Sequence, residues 1–254
     1  MSIQSPDDIA GLKRVGQVVV HVLQTMQAAL KPGITTAELD EIGREVLAQY
    51  NAQSAPIFFY DYPAATCISV NHEAAHGIPG KRVVQDGDLV NIDVSAILDG
   101  YVADTGASIP VGEVSPVAKK LCAATQEALL AALKVAKAGN RMDEVRTAVE
   151  KVARKNRFNI IENLAGHGVG RHIHEAPEFV PDYTRKKDRR RFQKGMVLTL
   201  EPFLTTGGNT AEEQGDGWTL ALKPGELVAQ YEHTIIITER EPILTTAGAN
   251  MVAL

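Results

Sequence analysis

The chain has 254 residues, a net charge of −5, 44% hydrophobic and 22% charged residues, and two cysteines. That is enough to bury roughly three quarters of the unfolded surface in one large domain or two small ones, and the charge makes no overall case for nucleic acid or an anionic membrane. Cys67 and Cys122 cannot form a paired CxxC metal site and fit a reducing compartment, and no basic leader or bilayer-length apolar run is present, so a cytoplasmic enzyme or binding protein is expected.

Ser5-Pro6-Asp7-Asp8 is a helix start: a hydroxyl cap, proline at the first helical position and acids in the first turn. Ile9, Leu12, Val15, Val19, Leu23, Met26 and Leu30 follow at helical spacing up to Pro32-Gly33. A second helix is predicted from Thr36 to about Tyr50, then an irregular aromatic stretch from Phe58 to Pro63. Cys67-Ile68-Ser69-Val70 reads as a short strand and Ala75 to Gly80 as a turn. Asn91 to Thr105 reads as a β-hairpin folded about Asp99-Gly100, a dipeptide preferred where both turn residues need positive φ. The pattern restarts at Ser115-Pro116, with a long helix to about Lys137, a stop at Gly139 and a shorter helix from Asp143 to near Lys155. Strands are predicted at 159–162, 196–200, 218–222 and 232–238. One domain, 1–254, made of two similar α+β halves at about 5–114 and 115–240, is therefore expected, with a cleft between them. The basic run 185–194 reads first as a solvated loop; its local charge also suggests transient contact with ribosomal RNA.

If Asp99-Gly100 is a two-residue turn, Ser95 faces Asp104 and Asp93 lies diagonally on the same face, about 7–8 Å away at the backbone. Acids inside so apolar a ribbon oppose both strand propensity and the cost of burial, and call for a cation between them. Three further polar residues occur at element ends. His167 is set among small residues in Ala165-Gly-His-Gly-Val-Gly170, Glu201 ends the strand that Pro202 stops, and Glu232 begins the last strand. The glycines around His167 lack the spacing of a dinucleotide fingerprint. Four carboxylates and one imidazole suit two hard-to-borderline divalent ions and argue against structural zinc. Carboxylates can bridge such ions about 3.5–4 Å apart, an arrangement that generates hydroxide at neutral pH and polarises a carbonyl for amide hydrolysis.

Ile-Asp93 followed by Asp104-Thr, then Gly-His167-Gly-Val-Gly, Leu-Glu201-Pro and Gln-Tyr-Glu232-His resemble the type I methionine aminopeptidases, as do Cys67-Ile-Ser-Val-Asn71, Ala75-His76-Gly-Ile-Pro and His174-Glu-Ala-Pro. The resemblance runs from Ser5 to about Thr238 and looks bacterial, without the insertion of type II members. It implies the pseudo-two-fold "pita-bread" fold, an antiparallel sheet with helices on its outer face, and removal of initiator methionine from nascent chains whose second residue is small. By the same resemblance, His167 and Glu201 hold one metal, Asp93 the other, and Asp104 and Glu232 bridge them. Glu201 also shuttles a proton, and His76 and His174 donate to the scissile amide and its oxyanion. Cobalt, manganese, iron(II) and zinc all suit the site. A monovalent cation held by backbone carbonyls is implied near Asn71, Glu73 and Val228.

The methionine pocket implied for this family falls on Phe59, Tyr62, Cys67, Ile173 and Trp218. Here the chain departs from common bacterial members, which have tyrosine at the position of Phe59, cysteine at Pro56 and phenylalanine at Ile173. Such swaps are worth about 1–3 kcal/mol of discrimination, so methionine is expected to remain the substrate with altered tolerance. The competing readings are an X-prolyl aminopeptidase or prolidase, which normally carries an extra N-terminal domain; a metal-free binding module of the same fold, which would have lost ligands; and a monometal oxygenase, which needs two histidines and one carboxylate. A monomer acting on peptide N-termini, with no DNA or membrane partner, is the expected working form.

Overall fold

The computed structural model describes residues 1–181, 183 and 187–248. Helix α1 spans Pro6–Ala29 and is entered through a capping box, in which the Ser5 hydroxyl accepts from the Asp8 amide while the Asp8 carboxylate accepts from the Ser5 amide. Helix α2, Thr36–Gln49, is capped the same way by Thr35 and Glu38. The segment expected to be irregular is instead a short helix, α3, Ala55–Tyr60, capped by Ser54 and ended by Asp61 at φ +53°. Helices α4, Pro116–Val135, and α5, Asp143–Asn156, match the second pair of predicted helices to within two residues. No helix among the described residues is long and apolar enough to cross a membrane.

Four antiparallel sheets carry the rest among the described residues, and the two largest frame the site. In the first, the hairpin strands Leu89–Leu98 and Tyr101–Pro110 turn on Asp99 (φ +51°) and Gly100 (φ +74°), the positive pair the dipeptide promised. Cys67–Val70 and Gln53–Ser54 pair in succession along the far edge of Leu89–Leu98. The second sheet runs in the order Ile243–Leu244, His233–Ile236, Val197–Leu200, Gly166–Gly168, Glu175–Val180. Strands expected at 159–162 and 218–222 are shorter, Asn159–Ile160 and Leu220–Ala221, and Trp218 lies in the turn before the latter. The last predicted strand begins at His233, so Glu232 stands just outside it. Helices α1 and α2 cover the hairpin sheet, while α4 packs against α5 and against Phe203–Thr205 and Val228–Gln230. One apolar core runs through both groups, from Val15, Leu23 and Met26 through Ile92 to Leu121, Leu129 and Leu198.

The sheets meet at a seam along Tyr101–Pro110. Val102 donates its amide to the Gly170 carbonyl at 2.9 Å, and Glu232 donates its amide to the Gly106 carbonyl at 2.9 Å. Thr234 Oγ1 accepts from the Asp104 amide and donates to the Asp104 carbonyl, at 2.9 and 2.7 Å. Side chains from chain segments more than a hundred residues apart are thereby fixed in register across one line. Of the basic run 185–194, residues 185 and 186 lie outside the described residues. Phe192 plugs into the core, Arg190 pairs with Asp188 and Lys194 with Glu239, so much of the rest is anchored rather than a free solvated loop.

Candidate metal centre and substrate cavity

The hairpin register sets Ser95 opposite Asp104 and Asp93 opposite Gly106, and on its other side Asp93 faces Cys67. Asp93 and Asp104 are the diagonal neighbours expected, and their carboxyl groups share a hydrogen bond. From the second sheet, one hydroxyl places two more residues. Thr199 Oγ1 accepts from the His167 amide at 2.9 Å and donates to Glu201 Oε1 at 3.0 Å. His167 Nδ1 lies 3.0 Å from the Gly168 carbonyl, which can only accept, so the ring proton sits on Nδ1 and Nε2 keeps its lone pair. That Nε2 is 3.5 Å from Glu201 Oε1 and 3.8 Å from Asp104 Oδ2. Glu232 Oε2 accepts from Gln230 Nε2 at 3.1 Å, and Gln230 is itself oriented by Asn91 Nδ2 at 2.8 Å. A Cβ at position 106 would come within 2.5 Å of Gln230 Oε1, which is why the hairpin carries glycine there.

All five predicted ligands therefore meet at the seam, and donor atoms of Asp104, His167 and Glu232 lie within 4.8 Å of one another. Asp104, His167 and Glu232 are 5%, 5% and 1% exposed. Burial pushes the Asp93 carboxyl up to about 6. Burial and then the neighbouring carboxylates raise Asp104, Glu201 and Glu232 well above the usual carboxylate range. Burial, then His174, lowers the His167 imidazole to about 3, so it is neutral at physiological pH. No lysine or arginine among the described residues forms an ion pair with Asp93, Asp104 or Glu201, and Asp104 Oδ1 has no hydrogen-bond partner among them. Clustered acids without a protein cation, beside a neutral imidazole with its lone pair inward, are the donor set divalent cations need.

Above this floor opens a cavity of about 610 Å³ lined by Tyr62, Cys67, Ile173 and Trp218, with His76 and His174 also on its walls. Tyr62 donates to the Gly77 carbonyl at 2.8 Å and meets the Trp218 ring edge-on at 5.1 Å. Asp216 accepts from the Trp218 amide at 2.9 Å and so sets the turn that carries the indole. His76 adopts φ +55°, and burial lowers its imidazole. Burial and then His76 bring His174 down to about 4. Phe59 is the exception among the predicted pocket residues. A helix advances each residue by about 100°, so helix α3 turns Pro56 and Tyr60, one turn apart, toward the cavity. Phe59 goes instead to the apolar cluster of Leu12, Val102 and Ile236, its ring 5.2 Å from that of His172.

Sequence reasoning passed over Tyr60, whose hydroxyl lies 2.8 Å from His174 Nδ1, and over Thr199, Gln230 and Asn91. The last three carried a signal, since each is a polar side chain inside an otherwise apolar strand segment. Near the implied cation position, Asn71 takes φ +60° and its carbonyl accepts from the Val228 amide at 2.9 Å.

Residues 10–239 match the sequence model of metallopeptidase family M24. The methionine aminopeptidase of Staphylococcus epidermidis is 44% identical over 247 residues, 97% of this chain and 98% of that protein. The crystal structure of a methionine aminopeptidase from Thermotoga maritima superposes with a TM-score of 0.91 at 33% identity, over 97% of this chain and 99% of that one. A prolidase from Pyrococcus furiosus shares the fold at a TM-score of 0.76 and 22% identity, over 96% of this chain and 65% of that chain.

Proposed function

From its membership of metallopeptidase family M24, to which this chain belongs, we propose that the protein is a methionyl aminopeptidase of the pita-bread fold. It binds divalent metal and removes initiator methionine from peptides and nascent chains with a small second residue. One observation carries this reading: five ligand-type side chains from both sheets converge beneath a single cavity, in a chain whose whole length follows the methionine aminopeptidases rather than the prolidases. The unit is one catalytic domain with its site between two similar halves, and the working form is a cytoplasmic monomer.

His167 and Glu201 would hold one divalent ion and Asp93 the other, with Asp104 and Glu232 between them. Bound there, cobalt, manganese, iron(II) or zinc supplies a hydroxide equivalent at neutral pH and polarises the first peptide carbonyl. Glu201 takes the proton of the attacking water and delivers it to the leaving amine. Thr199 already donates to Glu201 Oε1 and so fixes the orientation of the carboxyl group. His76 and His174 donate to the scissile amide and to the tetrahedral oxygen as negative charge develops there. Tyr62, Cys67, Ile173 and Trp218 enclose the methionine side chain and exclude water from it. A monovalent cation near Asn71, Glu73 and Val228 belongs to the same reading, as does transient ribosome contact through exposed Lys187, Arg189 and Arg191. A turnover insensitive to potassium or sodium removes the first, and ribosome association unchanged on neutralising those three residues removes the second.

Cleavage of Met-Ala-Ser and Ala-Pro peptides by metal-reconstituted protein, run in parallel, tests the main reading. Methionine release that depends on added metal is expected, with little turnover of Ala-Pro. Full-rate cleavage by metal-depleted protein, or a preference for Ala-Pro, overturns it.

A further inference from the structure

The rings of His167 and His174 lie against each other with centroids 4.2 Å apart, yet their Nδ1 atoms meet chemically different partners. At His167 the partner is the Gly168 carbonyl, a pure acceptor, which draws the proton to Nδ1. At His174 it is the Tyr60 hydroxyl, 2.8 Å away, with the two rings tilted at 43°. A phenol is a strong donor to an imidazole lone pair, and Tyr60 has no other hydrogen-bond partner among the described residues. The phenol is the more acidic donor of the pair, and an O–H directed at Nδ1 needs that nitrogen's lone pair, which places the imidazole proton on Nε2.

We infer that Tyr60 is a positioning residue that fixes His174 as its Nε2–H tautomer, making it a hydrogen-bond donor beside a histidine held as an acceptor. The inference rests on the reading that His174 serves the substrate amide, and it supplies the reason that this imidazole donates whereas its neighbour ligates. Two adjacent rings of one residue type are thereby given opposite duties by one backbone carbonyl and one phenol. Tyr60 is 42% exposed, so its ring is no core anchor and Tyr60→Phe should fold normally.

The test is ¹⁵N NMR of imidazole-labelled protein, metal-free and zinc-loaded, together with kinetics on Met-Ala-Ser. In the parent, His174 should show protonated Nε2 and unprotonated Nδ1, and Tyr60→Phe should give a mixture of the two tautomers. The same variant should lower kcat about 10-fold, as loss of an outer hydrogen-bond partner does, with KM nearly unchanged. In a His174→Ala background the substitution should change kcat by less than about twofold, because the two residues act as one unit. A parent His174 protonated at Nδ1, or equal rate losses in both backgrounds, overturns the inference. Failure of the parent to release methionine would count against the proposed function instead, and the tautomer would still be decided by the spectrum.

Discussion

The floor of the cavity and its rim use histidine and oxygen donors to opposite ends. At the floor, Asp104, Glu232 and His167 are almost wholly buried, the acids are pushed toward protonation by desolvation and by one another, and the imidazole is fixed with its lone pair inward. At the rim, Tyr60 is 42% exposed and His174 meets a hydroxyl rather than a carbonyl. The floor is costly to fold without a cation, because several like charges share one low-dielectric space. The rim costs little, and its substitution should disturb rate without disturbing the fold. Burial thus separates residues that must be paired with a metal from residues that need only be aimed.

The contrast predicts its largest effect at Asp104. Asp104→Asn keeps the side-chain shape while removing one carboxylate from the buried cluster with His167 and Glu232. Divalent metal measured by elemental analysis should fall well below that of the parent, and turnover should drop to background. Metal-free Asp104→Asn should nevertheless melt above the metal-free parent, because one of the mutually repelling acids has gone. Full metal occupancy in this variant would break the distinction between floor and rim. His76→Ala should behave in the other way, keeping its metal while losing about 10²–10⁴-fold in kcat, the range for a lost proton-transfer or oxyanion donor.

A smaller effect follows from the direction of the shifts. His167, His174 and His233, lowered to about 3, 4 and 4 chiefly by burial, bind fewer protons folded than unfolded below about pH 6.5. They add stability as pH climbs to that point and nothing beyond it. The acids run oppositely. Asp93 is raised to about 6 and Asp104, Glu201 and Glu232 well above the usual carboxylate range, so above pH 4 these acids hold more protons in the folded state than in the unfolded chain and cost stability as pH rises. Above about pH 6.5 only the acids' contribution remains. Scanning calorimetry of metal-free protein should show Tm falling from pH 6.5 to 8, with the slope largely removed by metal or by Asp104→Asn. A flat profile in the metal-free protein would mean that the floor is less strained than its burial implies.

What the sequence made legible was local chemistry repeated in short range. Ser5 with Asp8, Thr35 with Glu38 and Asp99-Gly100 each specify a cap or turn within a few residues, and the hairpin register followed from the last of these. The five floor residues stood out because acids and histidine sit badly in apolar strands. Less legible were elements that exist only through partners distant in the chain. Gly166–Gly168 and Phe203–Thr205 are three residues long and owe their strand state to distant partners, the former in the second sheet and the latter in a small sheet with Asn159–Ile160 and Val228–Gln230. Helix α3 hid behind aromatic residues of weak helix preference, and with it went the assignment of Phe59 to the cavity and the role of Tyr60. Side-chain direction at 59 and 60 depends on that one turn of helix, which spacing alone did not reveal.

The smallest expected effect lies where the two regions meet, at Ile173. This side chain is 5% exposed, packs with Val169 and Ile236, and presents its remaining surface to the cavity beside Cys67 and Trp218. An aliphatic wall there is shorter and softer than an aromatic one, so the space for a substrate side chain is wider than a phenylalanine would leave. Ile173→Phe should narrow that space without touching the metal floor or the donors at the rim. Metal content and Met-Ala-Ser kcat should therefore stay close to the parent values. The ratio of kcat/KM for methionine over leucine and norleucine peptides should shift by no more than about 10–200-fold, the range that a change of hydrophobic shape can supply. If Ile173→Phe leaves both ratios unchanged, the methionine side chain does not rest on this wall, and Tyr62 with Trp218 must set the specificity between them. If the variant loses metal, the rim and floor are mechanically joined through Ile173 and His174, and the separation between the two regions does not hold at that point of the loop.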